Sequence, residues 1–562
     1  MFKVTDFLSI AVPPSDQTTG WLESATAGVD YLKHNSHSDE IIIFANAGQA
    51  FVHSVLVPES QVSPPNGDEL QHARLDPTGQ WRLEHVSGGG EPDRMYLASP
   101  VDSFGCKSLE GAEQLVFRRY FDGVDKGPMR TELSQSLVQA LDLYWLDEEK
   151  AYCKLDDEGD IQPVIRLRNL SKETGEDSAM LVTIDAEQLH RYMAVTATAL
   201  VMKFDFTRYA PGSFIGWGEP ERGEIDENDV FYHTGVQAGA SFANGVMIVR
   251  AVLTKDMLIA KANRRWNGDD KEYAIFKAHD WKNKRHAEIS CAPSALASYF
   301  DEGSPLPFQT TPAFFRPDVL LKYKADPDKY RLEHRSISSR GTWYLKSYDV
   351  NEVGQVHVYL YDLAKLPYRE QLYWQSFNEW PKAPISKRAF QTDFEGSFST
   401  IPDPLIDLKH EIMNLDRAKP AYWQPRGEEL AGAVHYPLTT SVEEWSNAIL
   451  ALDQLVVEGF VTKPLRQRLT DASRSWDKQW GSLKLLQEVL IVSGLDDDEA
   501  VSIMAPLTRL HQLRSKTKGH AAVLEKVRIV KEAKEDYGSL AEHFRGLAAE
   551  IQMSVDRITD LL

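Results

Sequence analysis

Near residue 400 the hydrophobic pattern of this chain changes period, from short alternating runs to long stripes at helical spacing. A period of two buries one face of a sheet and a period of 3.6 buries one face of a helix, so the two halves need different architectures. From Asp39 to Phe121, β-rich runs alternate with turn residues: IIIFA, AFVHSVLV after the turn at Asn46 to Gln49, WRLEHV, Gly88-Gly89-Gly90 and MYLASPV. These read as antiparallel sheet. Thr131 to Leu141 has helical spacing, and YWLDEEKAYCKL and IQPVIRLRNL flank the turn cluster Asp156, Asp157, Glu158, Gly159 and Asp160 as a hairpin would. Ala186 to Met202 reads as a helix feeding the strand KFDF, and FANGVMIVRAVL as a buried strand. In the next β-rich block, RGTWYLKSYD and QVHVYLYD are expected to pair across the turn from Val350 to Gly354.

After the Pro-bearing IPDPL the strands stop and caps and breakers space out five to six helices. Ser441 and Glu444 form a capping box ahead of a stripe of Trp445, Ile449, Leu452 and Val456 that ends at Gly459. Pro464 opens the next helix, Ser482 to Val492 supplies another, and Gly494 stops it. Asp496 to Asp498 then set acidic charge at the start of a helix lined by Val501, Met504, Leu507, Leu510 and Leu513. A final helix from Leu540 to Leu562 packs through Leu547, Ile551, Val555, Ile558 and Leu562. The expected fold class is therefore α+β: an antiparallel-sheet-rich recognition region over 1–400, with room for a subdomain break near 210–310, followed by an all-α bundle over 401–562.

At 562 residues there is ample chain for two or three cores. The 62 basic and 83 acidic residues leave a net charge of −21, which opposes indiscriminate binding to nucleic acid or anionic lipid, so any such binding must be local. One basic island stands out from Ala505 to Lys534, where eight Lys or Arg face only Glu525 and Glu532, a net of +6. Cys106, Cys153 and Cys291 lie far apart without CxxC spacing or a nearby His, which supports neither a zinc site nor a disulfide framework and suits a reducing cytoplasm. No apolar run is long enough to span a bilayer, and the N-terminal MFKVTDFLSIAV is too short for a signal peptide, so no membrane partner is expected.

Inside the basic island, LRSKTKGHA sets Arg514 and His520 with five residues between them at the end of an apolar-periodic helix. An arginine can neutralise a phosphorane-like transition state while a histidine moves a proton at neutral pH, a pairing suited to cleaving an RNA phosphodiester with neither metal nor cofactor. Six steps along an unbroken helix turn by about 240°, so the two side chains converge only if Gly519 ends the helix and lets His520 swing back. His511, Arg514 and Lys518, at i, i+3 and i+7, share a face without distortion.

A helical tail with R-x5-H at the end of a long helix resembles the HEPN superfamily of prokaryotic RNases and nucleotide-binding domains, whose motif is R-x4-6-H. The resemblance covers about the last 160 residues. It implies a homodimer whose two motifs form a composite site, with metal-independent RNA cleavage of the toxin or antiphage-defence type. Arg514 would stabilise the charged transition state and His520 would act as acid or base. His511, Ser515, Lys516 and Lys518 would bind RNA, and the first 400 residues would sense a protein or phage-derived trigger. Ser515 stands where active members carry Asn, Asp or His. The alternative is a non-catalytic interaction or nucleic-acid-binding protein that dimerises through its helical tail, with Arg514 and His520 merely favouring a helix C-terminus.

Elsewhere the acidic turn Asp156, Asp157, Glu158 and Asp160 lacks the Gly and distal Glu of a calcium loop and reads as solvated. The run Glu219, Glu221, Glu224, Asp226, Glu227 and Asp229 reads as an exposed loop without cationic partners in register. Trp343, Tyr344, Tyr348, Tyr359 and Tyr361 would offer a stacking platform only if they lined one sheet face.

Overall fold

The computed structural model describes residues 18–562 except 48–49, 64–69, 71–78, 89–90, 99–108, 110, 120–128, 175–178, 210–220, 238–239, 269–270, 302, 334, 398–402, 438–440 and 519–522. The protein is α+β, with a large antiparallel sheet in the N-terminal half and helices gathered in the C-terminal part. It divides into two compact units, one of residues 1–156 and 160–271 and the other of 157–159 and 272–562. The change of hydrophobic period near residue 400 thus lies inside the second unit.

The first unit is built on a twelve-stranded sheet. Its main path runs Glu221–Glu227, Val230–Gln237, Ala240–Val249, Thr198–Phe206, Ala50–Pro58, Glu40–Ala47, Met180–Asp185, Ile161–Asn169, Ala151–Leu155 and Tyr144–Leu146. The centre is apolar on both faces, as a central strand covered on each side must be. Ile42, Phe44, Leu56, Met202 and Phe204 belong to one core with the Thr18–Asn35 helix, while Val55, Val57, Val201 and Val246 belong to a second cluster. The hairpin around the acidic turn forms, with Ile161 opposite Leu155.

Two expected helices give up residues to strands. Ala186–Thr196 is helical, but Ala197 takes a left-handed conformation that ends it, and Thr198–Phe206 becomes a strand between Ala50–Pro58 and Ala240–Val249. Thr198 to Met202 was expected to be helix; its β-branched and apolar residues fill a doubly covered strand better. Likewise Arg130–Leu133 pairs with Val116–Arg119, and the helix there begins only at Gln135, where the Ser134 hydroxyl accepts from Leu137 N.

In the second unit, Ile275–Asp280, Arg285–Ser290, Pro312–Phe315 and Val356–Tyr359 form a sheet around Phe276, Phe315 and Trp374. The expected hairpin across 350–354 is reduced to Asp349–Val350 against Val356–Tyr359, because Trp343–Lys346 pairs back with Ser336–Ser339 in a separate sheet. After residue 401 there are eight α-helices among the described residues: Pro404–Ala418, Gly427–Ala433, Val442–Val456, Thr462–Asp471, Ser482–Val492, Asp497–Lys518, Val523–Tyr537 and Leu540–Leu561. That exceeds the five to six expected; one of the additions is the charge-rich Val523–Tyr537 helix, which among its described side chains buries Ile529 and Ala533.

Helix ends follow their caps. The Ser441 hydroxyl accepts from Glu444 N and Ser539 from Glu542 N, each contributing about 1 kcal/mol. Trp445, Ile449, Leu452 and Val456 are all fully buried against Met504, Leu507, Leu510, Phe544 and Ile551, so Trp445→Ala would cost about 3–5 kcal/mol. Val501, expected in the same stripe, is 53% exposed. Gly459 allows a close approach: a Cβ there would lie 2.3 Å from the Trp423 ring.

Candidate functional site

The Val442–Val456 helix carries one carboxylate within its apolar sequence ILALDQLVV, and burying its stripe takes Asp453 completely out of solvent. An ion buried this way must find a partner. It finds two on the neighbouring Asp497–Lys518 helix. His511 Nδ1 lies 3.1 Å from Asp453 Oδ1, and Arg514 Nε lies 3.8 Å from Asp453 Oδ2. The i, i+3 spacing of His511 and Arg514 puts both on the face toward Asp453.

The Arg514 guanidinium extends between two acids, with Nη2 3.6 Å from Glu458 Oε1. Glu458 in turn lies 3.6 Å from Arg426 Nη2. Asp416 sets the loop that brings Arg426 here, accepting from Trp423 Nε1 at 2.7 Å, from Arg426 N at 2.9 Å and from Gly427 N at 2.8 Å. At 3.6 and 3.8 Å, both Arg514 contacts are electrostatic rather than hydrogen bonds.

Burial pushes the Asp453 carboxyl above the ordinary carboxylate range, and the His511 bond and Arg514 charge offset this only in part. When Asp453 is ionised it can only accept, so Nδ1 of His511 carries a proton in this contact, and in the neutral form of the ring Nε2 then bears the lone pair. A carboxylate that fixes an imidazole in this tautomer is an arrangement suited to general acid or base work. The side chains of His511 and Arg514 remain 45% and 35% exposed, so both can be reached from solvent.

The sequence-predicted residues fall differently. Gly519 and His520 lie outside the described residues. Lys518 is the last residue of its helix. Ser515 is exposed, and its hydroxyl donates to His511 O at 2.9 Å, a backbone bond one turn back that occupies its only donor. Lys516 pairs with Glu525 at 3.1 Å. The rest of the basic island is also laced with acid: Arg509 pairs with Glu550, Arg528 with Glu532 and Lys531 with Glu535. Exposed pairs of this kind are worth at most about 1 kcal/mol each, so a phosphate can compete for these cations. Asp453 was missed by sequence reasoning; its signal is a lone carboxylate inside an apolar helical run.

The other candidates resolve as structure. Asp156 accepts from Asp160 N at 2.8 Å and from Gln162 Nε2 at 3.0 Å, closing its own turn. Among the described residues, no group of three or more His, Cys, Asp or Glu side chains is placed to hold a metal ion. Glu221–Glu227 is an edge strand, not a loop, and it has cationic partners: Glu227 pairs with Lys33 at 2.6 Å, while Asp229 just beyond it accepts from Arg250 at 2.8 Å. Cross-strand pairing overrode its charge. The aromatic platform does not assemble, since Trp343, Tyr348 and Tyr359 are buried while Tyr344 and Tyr361 are exposed.

Cys153 and Cys291 are free, buried thiols, and burial pushes the Cys291 thiol up to about 12, which leaves it unreactive. No helix among the described residues is long and apolar enough to cross a membrane. Comparison with family models, with curated proteins and with solved structures finds no match for this chain.

Proposed function

We propose that the helical part of the second unit cleaves RNA phosphodiesters without a metal, as an effector of the toxin or antiphage-defence type acting in the cytoplasm. The observation that carries this reading is the placement of Arg514 beside an oriented imidazole on a solvent-reachable helix face. Arg514 supplies positive charge to the transition state, for which the loss of one such donor typically costs about 10²–10³ in rate. His520 is the acid or base of the R-x5-H motif, and His511, one turn before Arg514, is a second imidazole at the same arginine. The helical part forms the homodimer that brings two motifs together, and the sheet-rich remainder receives the trigger.

The test is full-length protein incubated with total RNA in the presence of a chelator. Arg514→Ala should lower cleavage by about two to three orders of magnitude, and His520→Ala should abolish the remainder of the acid–base contribution. Loss in His511→Ala with unchanged cleavage in His520→Ala would transfer the proton-moving role to the Asp453–His511 pair. Unchanged cleavage in both histidine variants sinks the catalytic reading.

A second reading, a non-catalytic binding protein, draws on the position of Arg514 between Asp453 and Glu458, a setting that also stabilises a fold. It expects RNA retention without cleavage, weakening steeply with salt and weakened further by Arg514→Ala.

A further inference from the structure

We propose that His279 and His286, in the sheet-rich part of the second unit, together bind one divalent transition-metal ion of the imidazole-preferring class, Cu²⁺ more tightly than Zn²⁺. The site is separate from Arg514 and from the metal-free chemistry proposed there. The Ile275–Asp280 and Arg285–Ser290 strands form an antiparallel hairpin in which His279 stands directly opposite His286. Side chains alternate across a strand, so Phe276, Ala278 and Asp280 are buried on one face while Lys277, His279, His286 and Glu288 share the other.

The two imidazoles lie at chelating distance. Their ring centres are 4.9 Å apart and their planes are inclined by 49°. An imidazole nitrogen about 2.0–2.1 Å from a metal sets its ring centre about 3.2 Å from the ion, so two rings bound at about 90–110° have centres about 4.5–5.2 Å apart. The observed spacing falls inside that range, and the exposed His286 ring can turn to meet the ion. His279 supplies a second sign: its Nδ1 is shut off from solvent and has no hydrogen-bond partner among the described residues. A buried nitrogen is nearly always satisfied in a native protein, and where no protein group does so a water or an ion does.

The hairpin holds the pair in place before any ion arrives. Its register runs through six residue pairs without a bulge. At the turn, the fully buried Asp280 accepts from Asn283 Nδ2 at 2.7 Å and from Asn283 N at 3.2 Å, and Arg285 Nε lies 3.3 Å from the same carboxylate. Lys277 stands opposite Glu288, so the cations that flank the histidines along the strands are each offset by an acid. Trp380 borders the site, its ring centre 6.1 Å from that of His286 and 5.8 Å from Lys277 Nζ. Among the described residues no third His, Cys, Asp or Glu completes a metal-holding group, so water takes the remaining positions and the site is open. Hard cations such as Mg²⁺ select oxygen ligands and gain nothing from two imidazoles.

The test is full-length, untagged protein, stripped with a chelator and dialysed, then titrated with Cu²⁺, Zn²⁺ and Mg²⁺ against a chromophoric competitor. Cu²⁺ and Zn²⁺ are expected to bind, Cu²⁺ more tightly, and Mg²⁺ is not. Two ligands on one ion gain about 10²–10⁴ over either alone, so His286→Gln and His279→Gln should each weaken the tightest Cu²⁺ site about 100-fold. The double variant should be scarcely weaker than either single one, because the second ligand has lost its chelate partner already. Electron paramagnetic resonance of the Cu²⁺ complex should show coupling to two imidazole nitrogens. His286 is exposed, so its variant should keep the metal-free circular dichroism and thermal midpoint, which separates a lost ligand from a lost fold. Tightest binding unmoved by His286→Gln, losses that add in the double variant, or no binding of either transition ion overturns the proposal.

Discussion

Asp349 in the sheet-rich part of the second unit and Asp453 in its helical part are buried to the same degree, yet their carboxyls shift in opposite directions. Burial raises both. At Asp349 it is outweighed: Arg388 Nε donates at 2.9 Å, a second Arg388 nitrogen donates to the other oxygen, Ser386 Oγ donates at 2.7 Å and Val350 N at 2.7 Å. Those donors hold Asp349 below the ordinary range. Among the described residues Asp453 has one hydrogen bond, from His511, and its Oδ2 has no hydrogen-bond partner. A saturated carboxylate clamps structure, here the Lys387–Asp393 helix and its Ser386 cap against the Asp349–Val350 strand, whereas an unsaturated one keeps capacity to act on its neighbours. The same residue type at the same depth thus serves different ends, according to how many donors surround it.

The most damaging way to probe this contrast is Asp349→Ala, which removes the paired hydrogen bonds from Arg388 and the 3.8 Å contact from Arg335. A loss of about 3–5 kcal/mol in urea unfolding is expected; a loss near zero would show that the clamp holds nothing.

Next in size is a pH effect at His357, fully buried between Phe314 and the Asp349 cluster, where burial lowers its imidazole to about 4 despite the nearby Asp349 and Asp393. A folded value below the unfolded 6.5 means that the unfolded state binds the proton first, so stability falls as pH drops from 6.5 toward 4. The contribution is about 3 kcal/mol. His357→Gln, whose amide oxygen can still accept from Ser386 N, should shrink the acid loss by about that amount, read from urea midpoints across this window.

The smallest effect should come from Asp453→Asn. The raised carboxyl binds its proton more tightly in the folded state, so its ionisation costs stability as pH rises from 3.8 through its folded value. A neutral amide escapes that cost while still accepting from His511, and a change under about 1 kcal/mol is expected at neutral pH. The pH dependence just above 3.8 should flatten. A loss as large as that of Asp349→Ala would place both aspartates in the same structural role.

Much of the helical part is legible in the sequence because its signals are local. Ser482–Val492 begins and ends where its pattern and Gly494 place it, and Ser441 caps the helix that its capping box announces. The sheet-rich part is less legible. Thr198 to Met202 continues a helical pattern on paper, and only strands on either side make it a strand; Trp343–Lys346 pairs back with Ser336–Ser339 instead of forward. Glu221–Glu227 reads as a loop from its charge, and a neighbouring strand decides otherwise. Strand identity depends on partners distant in sequence, whereas a helix satisfies its backbone within four residues.

The candidate site divides along the same line. The sequence by itself determined the α+β class, the −21 charge with its basic exception, and the placement of His511 and Arg514 on one helical face, because composition and a 3.6-residue period require no third dimension. Only the tertiary structure decided that the face meets Asp453, 58 residues earlier than His511, and that most cations of the basic island have acidic partners. Two helices become neighbours by burying their apolar stripes, and the polar groups beside those stripes are brought together as a consequence of packing that spacing along one chain does not encode.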